Sequence, residues 1–331
     1  MPFNQSVHPI DVDVCRPETC PGCDPQEDCV LALVTNKMTA TGPPFLHINK
    51  HGGDLDRWQT GITLTNWATA GEEPTSVLCL GDFILVTSNA AGAVYYTDDL
   101  GVTLVENLEA TWTAGPNSSD AIDQSFIVMV HDSGHISGSY DAARTWEWLE
   151  DGNVTDVTLN RVMIARDNPQ VIYTIGARNT VVKSENGGHN WYTMSGPGAA
   201  ADRLAAIWVK DQFHVLVMND DADVFETSDG GETWEQQEVL PNLQGVSVVG
   251  RDMMGCGCDG LWAIVGHSGA YGTITHHRIY RNVDGGANGR WFVPENVQTP
   301  TREPLGVACC DINRAIVVGG IGITGSVILV A

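Results

Sequence analysis

Four cysteines near the start of the chain, Cys15, Cys20, Cys23 and Cys29, share one acidic, Pro-rich segment with the spacing C-x4-C-x2-C-x5-C. Two thiolates placed as in Cys20-Pro21-Gly22-Cys23 can converge on one tetrahedral zinc ion. Two disulfides are the competing chemistry, with three possible connectivities. The first three spacings also echo a plant-type iron–sulfur loop, but the fourth Cys comes too soon for one. A segment with so little core of its own needs a staple, metal or covalent. The expectation is therefore a structural segment with no cofactor or one structural zinc: one zinc, or two disulfides formed in an oxidising setting, with unpaired thiols as the third alternative.

Other reactive residue types give weaker patterns. His267, Tyr271, His276 and His277 fall among glycines between Arg251 and Tyr280, and their spacing matches no standard ligand set. That stretch reads as a solvated loop. Cys79 sits inside an apolar run and reads as core, as free cysteines often do. The chain contains no Gly-x-Ser-x-Gly, His-Glu-x-x-His or phosphate-binding loop. The sequence offers no positive evidence of catalysis.

The elements that must hold these residues are announced by an octapeptide, Thr227-Ser228-Asp229-Gly230-Gly231-Glu232-Thr233-Trp234. Altered copies are Ser184-Glu185-Asn186-Gly187-Gly188-His189-Asn190-Trp191, Ser139-Tyr140-Asp141-Ala142-Ala143-Arg144-Thr145-Trp146 and Thr97-Asp98-Asp99-Leu100-Gly101-Val102-Thr103-Leu104. Two further copies, around Asp284-Gly285-Gly286 to Trp291 and His51-Gly52-Gly53 to Trp58, hold two extra residues before the Trp. The residue types suit a tight turn. A carboxylate there accepts backbone N–H bonds, and Ser or Thr adds another. Gly supplies a left-handed backbone position. Trp opens the next strand and buries a large ring.

The pattern resembles the Asp-box, or BNR repeat, of sialidase-like and photosystem-assembly-factor-like β-propellers. The resemblance implies an all-β fold, a single closed β-propeller of four-stranded antiparallel blades. It makes Asp99, Asp141, Asn186, Asp229 and Asp284 structural turn residues rather than catalytic ones. Positions 51, 99, 141, 186, 229 and 284 are separated by 48, 42, 45, 43 and 55 residues, which is the span of one blade. Between the turns come short β-rich runs, such as Leu204–Val209, Phe213–Met218 and Asp223–Thr227, and no sustained helical period.

Six turns mark six blades, and the runs after Trp291 supply three strands of a seventh. An open sheet edge is an aggregation hazard, so Pro9–Val14 is expected to complete the last blade. Residues 1–30 then form a Cys-rich arm and 31–331 the propeller. Aligning the blades places Cys256, Cys258, Cys309 and Cys310 at equivalent turns on one face, where they could meet as a second cluster; the simpler reading is small buried side chains.

Seventeen Lys and Arg oppose 41 Asp and Glu, a net charge of −24. Such a surface repels phosphate backbones and anionic membranes, so neither nucleic acid nor membrane insertion is expected. It also lacks the arginine-rich face that a photosystem-assembly role implies. A sialidase-like activity would need an F/Y-R-I-P motif, and none is present. No secretory leader pattern opens the sequence. These readings point to a non-catalytic module that binds protein subunits, or surface glycans, within a larger assembly. A virus particle or phage tail is one context that reaches the exterior without secretion. The alternative is a glycan-processing or glycan-binding propeller with its active face in the central channel. Runs such as Gly245–Val249 and Gly306–Ala308 suggest a small, apolar channel lining, which favours the first.

Overall fold

The computed structural model describes residues 9–15, 30–35, 43–50, 58–59, 61–65, 73–89, 94–107, 112, 115–150, 154–239, 248–256, 260–267, 278–282, 304–311, 314–321 and 324–330. These residues form seven antiparallel sheets, five of four strands and two of three. No described helix is long and apolar enough to cross a membrane.

Each sheet is built from consecutive strands, inner to outer. Blade one runs Pro9–Cys15, Val30–Thr35, Phe45–Asn49 and Ile62–Thr63. Blade two runs Pro74–Leu80, Phe83–Ser88, Val94–Thr97 and Val105–Asn107. Blade three is Pro116–Asp123, Phe126–His131, Ile136–Ser139 and Glu147–Trp148; blade four is Leu159–Ile164, Ile172–Gly176, Val181–Ser184 and Tyr192–Met194. Blade five is Leu204–Val209, Val215–Asn219, Asp223–Thr227 and Glu235–Val239. Blades six and seven begin with Val248–Cys256 and Pro304–Asp311. Each inner strand packs against the next around the ring, and that of blade seven packs against that of blade one.

The apolar runs are continuous rather than alternating because each blade is covered on both faces. In Phe83–Ser88, Ile84 and Val86 join a cluster with Ala32, Val34, Leu46 and Ile48 of blade one. Phe83 and Leu85, pointing the other way, join Ala121, Ile127 and Met129 of blade three. One strand thus serves two interfaces by its period of two. Truncating Leu85 to Ala would cost about 2–5 kcal/mol by lost transfer and cavity terms.

The N-terminal strand corrects one expectation. Pro9–Cys15 is a strand, but it pairs with Val30–Thr35, from Pro9 opposite Thr35 to Cys15 opposite Val30, as the inner strand of blade one. It does not complete the last sheet, whose described strands are Pro304–Asp311, Arg314–Ile321 and Thr324–Val330. The reason lies in its side chains: Asp11 and Asp13 accept hydrogen bonds from the inner strand of blade two, which fixes the strand inside the ring.

Candidate functional site

The repeated turns share one hydrogen-bond scheme. In the turn at 229, Thr227 Oγ1 donates to Asp229 Oδ1 at 2.7 Å and accepts from Gly231 N at 2.9 Å. Asp229 Oδ1 then accepts from Thr233 N at 2.9 Å. The same positions bond in the same way around Asp99, Asp141 and Asn186. Bonds from Thr103 hold the Asp99 carboxyl down at about 2, and bonds from Thr233 depress that of Asp229 similarly. Gly230 and Gly231 take φ of +78° and +93°. In the copy at 141 the same positions are Ala142 and Ala143, held at +57° and +64°, so the scheme outlasts the loss of its glycines. In each of these four turns the Asp or Asn side chain is bonded within its own turn.

Asp284 lies outside the described residues, as do Cys20, Cys23, Cys29, Tyr271, His276 and His277. Cys15 ends the first strand, Cys256 ends the inner strand of blade six, and Cys309 and Cys310 lie in that of blade seven. The side chains of these four, like Cys258, are outside the described set. Among described residues no three His, Cys, Asp or Glu side chains form a metal-binding group. Cys79 is fully buried, as core was expected to be, and is also disulfide-bonded.

The polar chemistry that the structure does assemble lies on the channel wall. The inner strand of every blade leaves backbone groups along one edge without a ladder partner, and buried groups of that kind must be satisfied. Side chains from the neighbouring inner strand do this. Asp11 Oδ2 accepts from Val77 N at 3.0 Å, and Asp13 Oδ2 from Cys79 N at 2.9 Å. Asp120 Oδ2 accepts from Ile164 N at 2.7 Å, and Asp252 Oδ2 from Val307 N at 3.0 Å. Carbonyls are served too: Asn117 donates to Leu159 O at 2.9 Å and Asn160 to Leu204 O at 2.8 Å. Each pair joins one blade to the next.

All four of these carboxylates, Asp11, Asp13, Asp120 and Asp252, line a pocket of about 120 Å³ together with Arg161. Burial pushes Asp11 up to about 7; the Asp252 charge adds to that, while Arg161 and the Val77 N–H pull it back. Asp252 is raised as well, again by burial, with Arg161 opposing. Asp120 is paired with Arg166 at 2.7 Å. A carboxyl near 7 beside a second carboxylate is the electrostatic pattern of a general acid, so the channel is the strongest candidate for chemistry among the described residues.

The expectation of a small apolar lining holds only in part: Val307 lines the pocket beside Val12, Val77 and Val162, but Arg161 and the four carboxylates share the wall. Gly245–Ser247 lie outside the described residues, and the polar contribution of blade six comes from Asp252 further along. Gly306 is small because Asp11 packs on it: a Cβ there would stand 3.2 Å from Asp11 Oδ1. The available signal was an Asp lodged mid-strand among apolar residues, as in Ile10-Asp11-Val12-Asp13-Val14.

No protein-family model matches the sequence, and no curated protein matches it. Solved structures do match in fold. YCF48 bound to D1 peptide superposes with a TM-score of 0.67 at 14% identity, over 99% of this chain and 96% of that one. YCF48 from Cyanidioschyzon merolae gives 0.65 at 16% identity with the same coverage. The GH74 xyloglucanase from Xanthomonas campestris gives 0.66 at 14% identity, covering 97% of this chain and 52% of its own. At these identities the likeness is one of fold.

Proposed function

We propose that this chain is a non-catalytic β-propeller module of a larger assembly, with protein subunits as its partners. The observation that carries the reading is the use made of the channel carboxylates. Asp11, Asp13, Asp120 and Asp252 each bind a backbone N–H of the next blade, so moving any of them toward a substrate would open an inter-blade tie. The pocket they enclose, about 120 Å³, also falls below the roughly 300–1,000 Å³ of ordinary ligand sites. The fold neighbour solved with a bound peptide lends support to a protein-binding use of this architecture. The finer proposal places the assembly outside the cell or on a released particle, such as a virus or phage tail. It is supported by the disulfide at Cys79, since disulfides persist in oxidising settings.

The test is hydrolysis. The protein is incubated with xyloglucan oligosaccharides and sialyllactose, and released reducing ends and sialic acid are quantified beside the Asp252→Asn variant. The reading expects no turnover from either protein. Turnover by the wild type that disappears in the variant would overturn it and make the channel a glycosidase site.

A further inference from the structure

A second concavity lies on the rim between blades three and four, away from the channel carboxylates. It holds about 520 Å³ and is lined by Tyr140, Glu147, Trp148, Glu150, His189 and Trp191, among others. That volume is within the range of real ligand sites. These residues come from the repeated turn and outer strand of blade three, the residues that follow it, and the repeated turn of blade four.

Two of its rings are exposed yet held from behind. Trp148 is 37% exposed, and its ring meets His131 at 5.2 Å and His135 at 4.9 Å between centroids. Tyr140 is 46% exposed and stacks on Phe126 at 5.1 Å. Rings fixed in this way present flat faces to solvent at little further entropic cost.

Glu150 supplies the second, independent observation. Its side chain is only 8% exposed. Oε1 accepts from Ile136 N at 2.9 Å and lies 3.4 Å from His135 Nδ1. Oε2 is buried without a hydrogen-bond partner, and so is Trp191 Nε1 on the same cleft. A buried carboxylate oxygen left bare costs on the order of 1–3 kcal/mol, more when charged. No Lys or Arg is among the lining residues, while Glu147 adds a second carboxylate. A group with cationic N–H donors, flat enough to lie against Trp148, would complete the site. A guanidinium has both properties, and it brings a fork of donors suited to a carboxylate. A polypeptide carrying it would also bring carbonyl oxygens for Trp191.

We propose that this rim cleft receives an arginine side chain of a partner polypeptide, with the guanidinium on Glu150 and stacked against Trp148 beside Tyr140. The chain's net charge of −24 draws basic segments toward it and disfavours anionic ones. The inference rests on the protein-binding reading above and names the chemistry of one contact within it.

The experiment is isothermal titration of the whole protein with the capped peptide acetyl-Gly-Arg-Gly-amide, beside the same peptide with citrulline, a neutral isostere, and beside methyl cellobioside. Saturable binding of the arginine peptide alone is expected. Glu150→Gln and Trp148→Ala should each weaken it tenfold or more; Trp148 is exposed enough that its loss leaves the fold intact, which circular dichroism checks. Equal binding of the citrulline peptide, no arginine binding at millimolar concentration, or binding of the glycoside instead would overturn the proposal. An array of longer peptides separates the two levels of the account. Peptides retained equally by wild type and Trp148→Ala would sink this cleft and leave the interaction reading standing.

Discussion

Asp11→Asn tests the account of the channel wall. Asp11 is deprotonated at about 3.8 in an unfolded chain and at about 7 in the folded one, raised first by burial and then by Asp252. Its folded state therefore holds a proton that the unfolded state has lost between those two values. Stability is fully present below about 3.8 and falls as pH rises through about 7. A shift of roughly 3 units at 1.36 kcal/mol each sets an upper value of about 4 kcal/mol, and coupling to Asp252 and Arg161 makes about 2–4 a working range. Asn retains the oxygen that accepts from Val77 N but never charges. The variant should therefore match wild type near pH 4 and exceed it by about 2–4 kcal/mol at pH 8. Asp11→Ala differs in leaving Val77 N–H bare, so at pH 4 it should be about 1–3 kcal/mol less stable than wild type. Urea unfolding at pH 4, 6, 7 and 8, followed by fluorescence and circular dichroism together, gives the comparison. Other groups also change stability over this range, His47 among them, held down at about 4 by burial. Reading the variant against wild type at each pH cancels their contribution. A gap that does not widen with pH, or an Asn variant less stable at pH 8, would refute the reasoning.

Further variants probe the turns and ties. Thr227→Val removes the hydroxyl that serves Gly231 N and Asp229; it should cost about 1–3 kcal/mol in urea unfolding, because the valine is similar in shape and leaves a buried N–H bare. Tyr173→Phe deletes the hydroxyl that donates to Gln212 O at 2.7 Å and reaches Gly230 O at 3.0 Å, across blades four and five. About 1 kcal/mol should be lost, since Lys183 still donates to Gly230 O. Gly134→Ala should be the most damaging of the three, by about 2–3 kcal/mol in the same assay. Its φ is +78° and a Cβ would overlap the Thr155 carbonyl oxygen.

What was legible in the sequence was local. The octapeptide and its spacing carry the turn, and the turn carries the blade, because the side chains of Thr227 and Asp229 bond to backbone and hydroxyl groups within the same eight residues. The apolar runs between turns then give strand type without further help. The partner of Pro9–Cys15 was not legible, because an apolar strand pattern is equally compatible with the first sheet and the last; the Asp11 and Asp13 bonds that decide it span 66 residues. The channel acids were hidden for a related reason. An Asp inside a strand reads as a solvated face until a neighbouring strand turns a backbone N–H toward it. The rim cleft depends on Glu150 and Trp191, which lie 41 residues apart and meet only because blade three packs on blade four. Even so, Tyr140 and Trp148 stood as large aromatics in and just beyond a polar turn, a departure from the repeat that could have marked the place.

The central claim is that this propeller holds polypeptides rather than cutting glycans. It is tested most directly by applying the labelled whole protein to one surface carrying both an array of short peptides of graded charge and an array of neutral and acidic oligosaccharides. The account predicts saturable retention on basic, arginine-containing peptides and none on the sugars. Retention on oligosaccharides with no peptide bound would contradict it.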